Sequence, residues 1–171
     1  MTPEPLIRPE RTDDHVAIGH VIRSAFLGMP YAEGDEAELV DALRARNALA
    51  VSLIAEHDGE IIGQIAFSPA RASDDSSGWY ALGPVAVLPG SQGRGVGSAL
   101  VRTGLQAIRA LGARGCILVG DPAYYTRFGF ALSPSNAPPG QPPAYFMVMA
   151  FGEHRPTGPI FFDDAFGSGA E

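Results

Sequence analysis

Leu82-Gly83-Pro84-Val85-Ala86-Val87-Leu88-Pro89-Gly90-Ser91-Gln92-Gly93-Arg94-Gly95-Val96-Gly97-Ser98 is the stretch whose reading decides the fold. Its first half ends an apolar run from Trp79 to Leu88 that predicts a strand, and its second half is a glycine-rich loop. Beyond it Leu100, Val101, Leu105, Ile108 and Leu111 recur at helical spacing, with Gly112 as the stop. A strand that breaks into glycines and opens a helix gathers backbone N–H groups around one point at the positive end of that helix. Glycines at 93, 95 and 97 remove the side chains that would hold a phosphate away from those amides. The same glycines also suit a plain tight turn, and spacing alone does not choose between the two uses.

Charge singles out the same stretch. The 171-residue chain carries a net charge of -7, and all twelve of its basic residues are arginine, which excludes lysine Schiff-base and P-loop lysine chemistry. Residues 1–75 hold six Arg and fourteen Asp or Glu, a balance of -8; residues 76–120 hold four Arg and no acid, +4; residues 121–171 stand at -3. A basic island in an acidic chain suits an anionic ligand, whereas the overall balance does not suit a nucleic-acid binder.

With 46% hydrophobic and 18% charged residues the chain has the composition of a well-packed interior, and its length predicts a single domain over 1–171. No apolar run approaches the roughly 20 residues that span a bilayer. Met1 to Arg11 is proline-rich and charged without an apolar stretch, and Cys116 is the sole cysteine, so a reducing, cytoplasmic location is expected. His15, His20, His57 and His154 lack ligand spacing among themselves or with Cys116, and no metal is predicted. A serine-hydrolase elbow, Gly-x-Ser-x-Gly, does not occur at a strand-to-helix step.

Working outward, Leu6–Pro9 predicts a short strand, and Thr12 an N-cap for a helix along Ile18, Val21, Ile22, Ala25 and Phe26. Asp35 and Glu38 have capping-box spacing ahead of a second helix through Leu39, Val40 and Leu43. Strands are expected over 50–56 and 60–68, joined by His57-Asp58-Gly59, and the polar run 73–78 turns into the strand that begins at Trp79. After the central helix come an apolar strand over 116–119, an Asp121 cap with Pro122 opening a short helix over 123–128, a proline-rich loop over 134–143, and strands over 145–151 and 160–162. Strands mixed with helices and a hairpin predict a single-domain α/β (α+β) fold on a mixed, mostly antiparallel sheet.

Three phosphate loops compete for Gln92–Ser98. A nucleotide P-loop needs Lys after its last glycine, where Val96-Gly97 stand. A dinucleotide fingerprint needs Gly-x-Gly-x-x-Gly directly after the strand, a spacing that Gly93-Arg94-Gly95-Val96-Gly97-Ser98 does not have, although Asp121 near the end of the next strand keeps that reading open. The third type matches: Gln92-Gly93-Arg94-Gly95-Val96-Gly97 resembles the Gln/Arg-x-x-Gly-x-Gly/Ala pyrophosphate loop of the GNAT superfamily of acyl-CoA-dependent N-acyltransferases. Tyr124-Tyr125-Thr126-Arg127-Phe128-Gly129-Phe130 resembles that family's aromatic segment after the fifth strand, so the likeness spans about residues 6–151, with 152–171 as an extension.

The resemblance implies acetyl-CoA as co-substrate, held by the amides of Gly93, Arg94, Gly95, Val96, Gly97 and Ser98 with Gln92 shaping the turn, and Val85, Ala86 and Val87 offering strand backbone to the pantetheine arm. Ordinary core packing of Val85 and Val87 is the plainer reading of those side chains. It also implies that Tyr125 protonates the leaving thiolate, while Gly83-Pro84 sits where the family's strand bulges. Residues 76–120 hold no Asp, Glu or His, so the carboxylate that some members carry on this strand is absent; Glu33 and His57 are the base candidates, and a water relay or an amine that arrives deprotonated needs neither.

In such a protein the acceptor is an amine, on a small molecule or a protein, bordered by Met29, Tyr31, Glu33, Tyr145, Phe146, Phe161 and Phe162. The acid-rich 1–75 segment favours a cationic one. A non-catalytic acyl-CoA-binding module is the other class that these residues allow, and a homodimer through an exposed strand edge is a further expectation.

Overall fold

The computed structural model describes residues 4–30 and 32–166, and within them the chain forms a mixed α/β fold with an open, mostly antiparallel sheet of eight strands and four helices. The strands are β1 (Leu6–Pro9), β2 (Val51–His57), β3 (Glu60–Ala72), β4 (Trp79–Val87), β5 (Gly115–Val119), β6 (Ala131–Leu132), β7 (Phe146–Ala150) and β8 (Ile160–Phe161). The helices are α1 (His15–Phe26), α2 (Glu36–Ala45), α3 (Val96–Ala110) and the single-turn α4 (Pro122–Tyr125). Strand order is β1-β2-β3-β4-β5-β7-β6, with β8 beside the end of β3. β4 and β5 pair in parallel, as the helix that connects them requires. Residues 1–67 with 83–106 make one compact unit and 68–82 with 107–171 another.

In the first unit, Ile18, Val21, Ile22 and Ala25 of α1 and Ala37 and Val40 of α2 pack on Ile54, Ala66 and Ala86 of the strands. Two glycines bring α3 close to β3. A Cβ on Gly104 would stand 2.2 Å from Phe67 Cε1, and one on Gly63 would stand 3.0 Å from Leu100 Cδ1 and 3.2 Å from Val96 Cγ1. Side chains at either place would lift the helix whose first turn carries the glycine loop. The β2–β3 turn has Asp58 at φ 51° and Gly59 at φ 77°, the double left-handed pair of a type I′ hairpin.

Half-buried ion pairs fasten this unit's margins. The Arg8 guanidinium donates to both carboxylate oxygens of Asp14, at 2.8 and 3.2 Å, and to Glu56 Oε1 at 3.0 Å. Those Arg8 bonds hold the Asp14 carboxyl below its usual range against the opposing pull of burial. For Glu10, burial works to raise the pKa, but bonds from Arg44 and Ser52 outweigh it and leave the group lowered.

Thr12 is not the cap of α1: residues 12–14 form a 3-10 turn and Asp14 stands at the cap position, its carboxylate drawn off to Arg8 and the Arg11 amide. The Asp35/Glu38 capping box also does not form. Asp35 makes no side-chain cap bond, the Glu36 carboxylate accepts from the Glu33 amide, and Glu38 lies 3.7 Å from Arg23. At Asp14 the Arg8 guanidinium outcompetes the local cap.

In the second unit Trp79, Ala81, Ile117, Phe146, Val148 and Ile160 form the core. Trp79 lies over Gly115, where a Cβ would be 2.3 Å from Cζ3 of the indole. The β3 strand runs four residues past Ser68, because its end pairs with β8 through Arg71↔Phe161 and Ala72↔Ile160. Residues 152–166 are therefore integral to this unit: Ile160 is fully buried, Asn136 donates to the carbonyls of Pro156 and Gly158, and Asp74 accepts from Ser76 and Thr157.

Asp74 is held down to about 2, chiefly by its side-chain bond from Ser76. Burial pushes the Cys116 thiol up, as befits a small core side chain. Leu111, expected on the α3 stripe, lies beyond the helix and is 56% exposed. The two-residue β6 escaped the sequence reading because it is too short to show a period, and the expected helix over 123–128 is α4 followed by a 3-10 turn at Thr126–Phe128.

Candidate functional site

The glycine loop begins with a 3-10 turn at Pro89–Ser91 and ends at α3. Gly93 (φ 77°) and Gly95 (φ 83°) are left-handed, and a Cβ on either would meet nothing within 4 Å. Glycine is required there by backbone conformation rather than by crowding, and the space over the loop is open. The first backbone bond of the α3 ladder runs from Ala99 N to Gly95 O at 3.0 Å, so the amides of 96–98 precede it at the positive helix end. No acid occupies the first turn of α3, and Arg94 is exposed within the loop. Gln92 Nε2 donates to the Val87 carbonyl at 3.0 Å, a bond between the loop and the end of β4.

Burial along β4 alternates until Ala81, then slips by one: Ala81 and Leu82 are both buried, followed by Pro84 and Ala86. The slip falls beside Gly83, at φ 150°, and the cis Gly83–Pro84 peptide. It corrects the core-packing reading of the valines, because Ala86 points into the core while Val85 and Val87 are only half buried. The parallel register of β4 on β5 covers Trp79↔Gly115 to Ala81↔Ile117 and ends there.

In the second unit, Asp121 Oδ1 accepts from the Ala123 amide at 2.9 Å, and with Pro122 at the first position it starts α4. Tyr125 closes that turn, half buried, its amide bonded to the Asp121 carbonyl at 3.0 Å. Its ring meets Tyr124 edge-on at 5.0 Å and Phe130 at 6.1 Å, with Phe128 at 6.2 Å. Its fourth neighbour went unread in the sequence. An ideal Cβ on Gly120 would stand 2.5 Å from Tyr125 Cε2 and 2.9 Å from Cδ2. No turn signature marks this glycine, since its backbone is not left-handed.

Of the base candidates, Glu33 is exposed ahead of α2 and His57 stands 3.4 Å from Asp58. Among the expected acceptor-bordering residues, Phe146 is fully buried in the core and Phe162 packs on it at 6.1 Å, so Phe146 is withdrawn from that role by its packing. Phe161 carries the Arg71 guanidinium 4.5 Å above its ring, Tyr145 is 52% exposed, and Tyr31 lies outside the described residues. Among the described residues no three His, Cys, Asp or Glu side chains gather as a metal site, and no helix is long and apolar enough to cross a membrane.

A strand, a glycine loop with left-handed turns and an acid-free helix start have the geometry of an anion-binding loop in an α/β protein. Residues 18–130 match the acetyltransferase (GNAT) family, and the chain belongs to that family. It is 37% identical over 130 residues to the uncharacterized N-acetyltransferase YhbS of Escherichia coli, covering 75% of this chain and 74% of that protein. Among solved structures it is similar to a GNAT family acetyltransferase from Brucella melitensis in complex with acetyl-CoA, at 46% identity, TM-score 0.85, and 95% and 98% of the two chains. It is also similar to E. coli YhbS in complex with CoA, at 31% identity, TM-score 0.86, and 97% and 94% coverage.

Proposed function

We propose that this chain, as one N-acetyltransferase domain of the cytoplasm, moves an acetyl group from acetyl-CoA to an amine by direct attack in a ternary complex. The observation that carries the reading is the glycine loop: left-handed Gly93 and Gly95 and an acid-free α3 start make a backbone cradle fit for a pyrophosphate. The amides of Gly93, Arg94, Gly95, Val96, Gly97 and Ser98 bind that group, while the backbone of Val85, Ala86 and Val87 receives the pantetheine arm like an added strand. Crystallised relatives that hold acetyl-CoA and CoA support the choice of ligand.

The amine nitrogen attacks the thioester carbon, the carbon–sulfur bond breaks with its electron pair on sulfur, and the Tyr125 hydroxyl supplies the proton that the thiolate takes up. Such acid help is worth roughly 10²- to 10⁴-fold. The proton of the new ammonium leaves to a base outside residues 76–120, which offer no Asp, Glu or His: Glu33, His57 or a water relay, with solvent returning a proton to Tyr125.

Calorimetry with acetyl-CoA and NADH, followed by release of free CoA across a panel of amines, tests the reading. Acetyl-CoA should bind, NADH should bind poorly, and an amine should accelerate release. Tight NADH binding returns the loop to a dinucleotide, and acetyl-CoA binding without turnover on any amine makes the chain a binding module.

A further inference from the structure

We propose that Gly120 is the seat of the Tyr125 phenol, a positioning residue that aims the hydroxyl through the plane of the ring. This rests on the reading of Tyr125 as the acid. The two ring carbons on one edge of Tyr125 occupy the space where residue 120 would carry a Cβ, at 2.5 and 2.9 Å, and Leu118 Cδ1 closes the same space at 3.1 Å. Real Cβ atoms do not approach so closely, so any side chain at 120 moves the ring.

The ring has little room to move. Tyr124 stands edge-on at 5.0 Å and Phe130 at 6.1 Å, Phe128 is at 6.2 Å, and the Tyr125 backbone is fixed in the α4 turn by its bond to the Asp121 carbonyl. A ring pushed off Gly120 therefore turns about its own side-chain bonds, which swings the hydroxyl at its far end.

Conformation does not explain this glycine. Gly93, Gly95 and Gly129 sit at φ 77°, 83° and 108°, where other residues are strained, whereas Gly120 has no such φ and its backbone accepts alanine. The Gly120 amide donates to the Tyr145 carbonyl at 3.0 Å, a bond that alanine keeps. What alanine cannot keep is the ring's place. Displacing an acid by about 1 Å costs on the order of 10²-fold in rate without touching ground-state binding.

The test is a cycle of Gly120→Ala and Tyr125→Phe, read as kcat and as Kd for acetyl-CoA. Gly120→Ala should lower kcat about tenfold to hundredfold with Kd unchanged, and should add less than about twofold once Tyr125→Phe has removed the hydroxyl. An equal loss from Gly120→Ala in both backgrounds overturns the seat and leaves the acid intact. No loss from Tyr125→Phe overturns the acid, and with it the seat. Should Gly120→Ala fold poorly, its thermal midpoint is compared with that of Gly120→Ala/Tyr125→Ala: recovery on removing the ring supports the seat, and an equally low midpoint overturns it.

Discussion

The glycine loop and the tyrosine segment both depend on glycine, for opposite reasons. In the loop, Gly93 and Gly95 are needed because their backbones are left-handed, and the volume above them is empty. In the tyrosine segment, the backbone of Gly120 is ordinary and the volume above it is filled by the Tyr125 ring. On the proposed reading one segment offers main-chain donors to the cofactor, and the other uses an absent side chain to hold a present one. The first should thus govern affinity and the second turnover.

The largest expected effect tests the second half of that contrast. Tyr125→Phe should lose roughly 10²-fold or more in turnover while acetyl-CoA affinity holds; unchanged single-turnover rates would reduce the tyrosine to packing. Next, Gly95→Val forces a β-branched residue into left-handed backbone, at a cost of about 1–3 kcal/mol, and calorimetry should show acetyl-CoA bound about tenfold to hundredfold more weakly. A full-strength Kd in that variant would break the comparison, since the loop's conformation would then not matter to the ligand.

A smaller change separates side-chain from backbone control. Asp121→Ala removes the cap of α4 and should cost about 1 kcal/mol, seen as a thermal midpoint lower by about 2–4 °C. Gln92→Ala removes an exposed bond to the Val87 carbonyl and should weaken acetyl-CoA binding by about threefold with stability hardly changed. If Gln92→Ala instead lowers kcat alone, the loop reaches further into the chemistry than its geometry indicates.

The smallest effect concerns charge. Glu10, Asp14, Glu38, Asp41 and Glu56 are engaged by Arg8, Arg23 and Arg44, while Glu33, Asp35 and Glu36 form an acidic stretch before and at the start of α2, in the segment expected to border the acceptor. Steering of a cationic amine by these charges should appear as a fall of about twofold in kcat/KM with added salt, absent for a neutral amine. Equal salt curves for both would place the acidity on a merely solvated face.

Much of this protein was legible along the chain because the signals are local. The Asp58-Gly59 hairpin, the Asp121-Pro122 helix start and the strand–glycine–helix step at 82–98 each depend on residues within a few positions of one another, and each stands where expected. The features that only the tertiary structure decided involve partners far apart in sequence or competing for one group. Asp14 abandoned its helix for Arg8, β3 grew to meet β8 some ninety positions later, and Phe146 turned inward to the core. The phase slip that puts Ala86 rather than the valines inside followed from one residue's shift in a period-two strand, which the composition of an all-apolar run cannot display. Gly120 belongs with these: a missing side chain carries meaning only through the atom that fills its place, and that atom is known once the chain has folded.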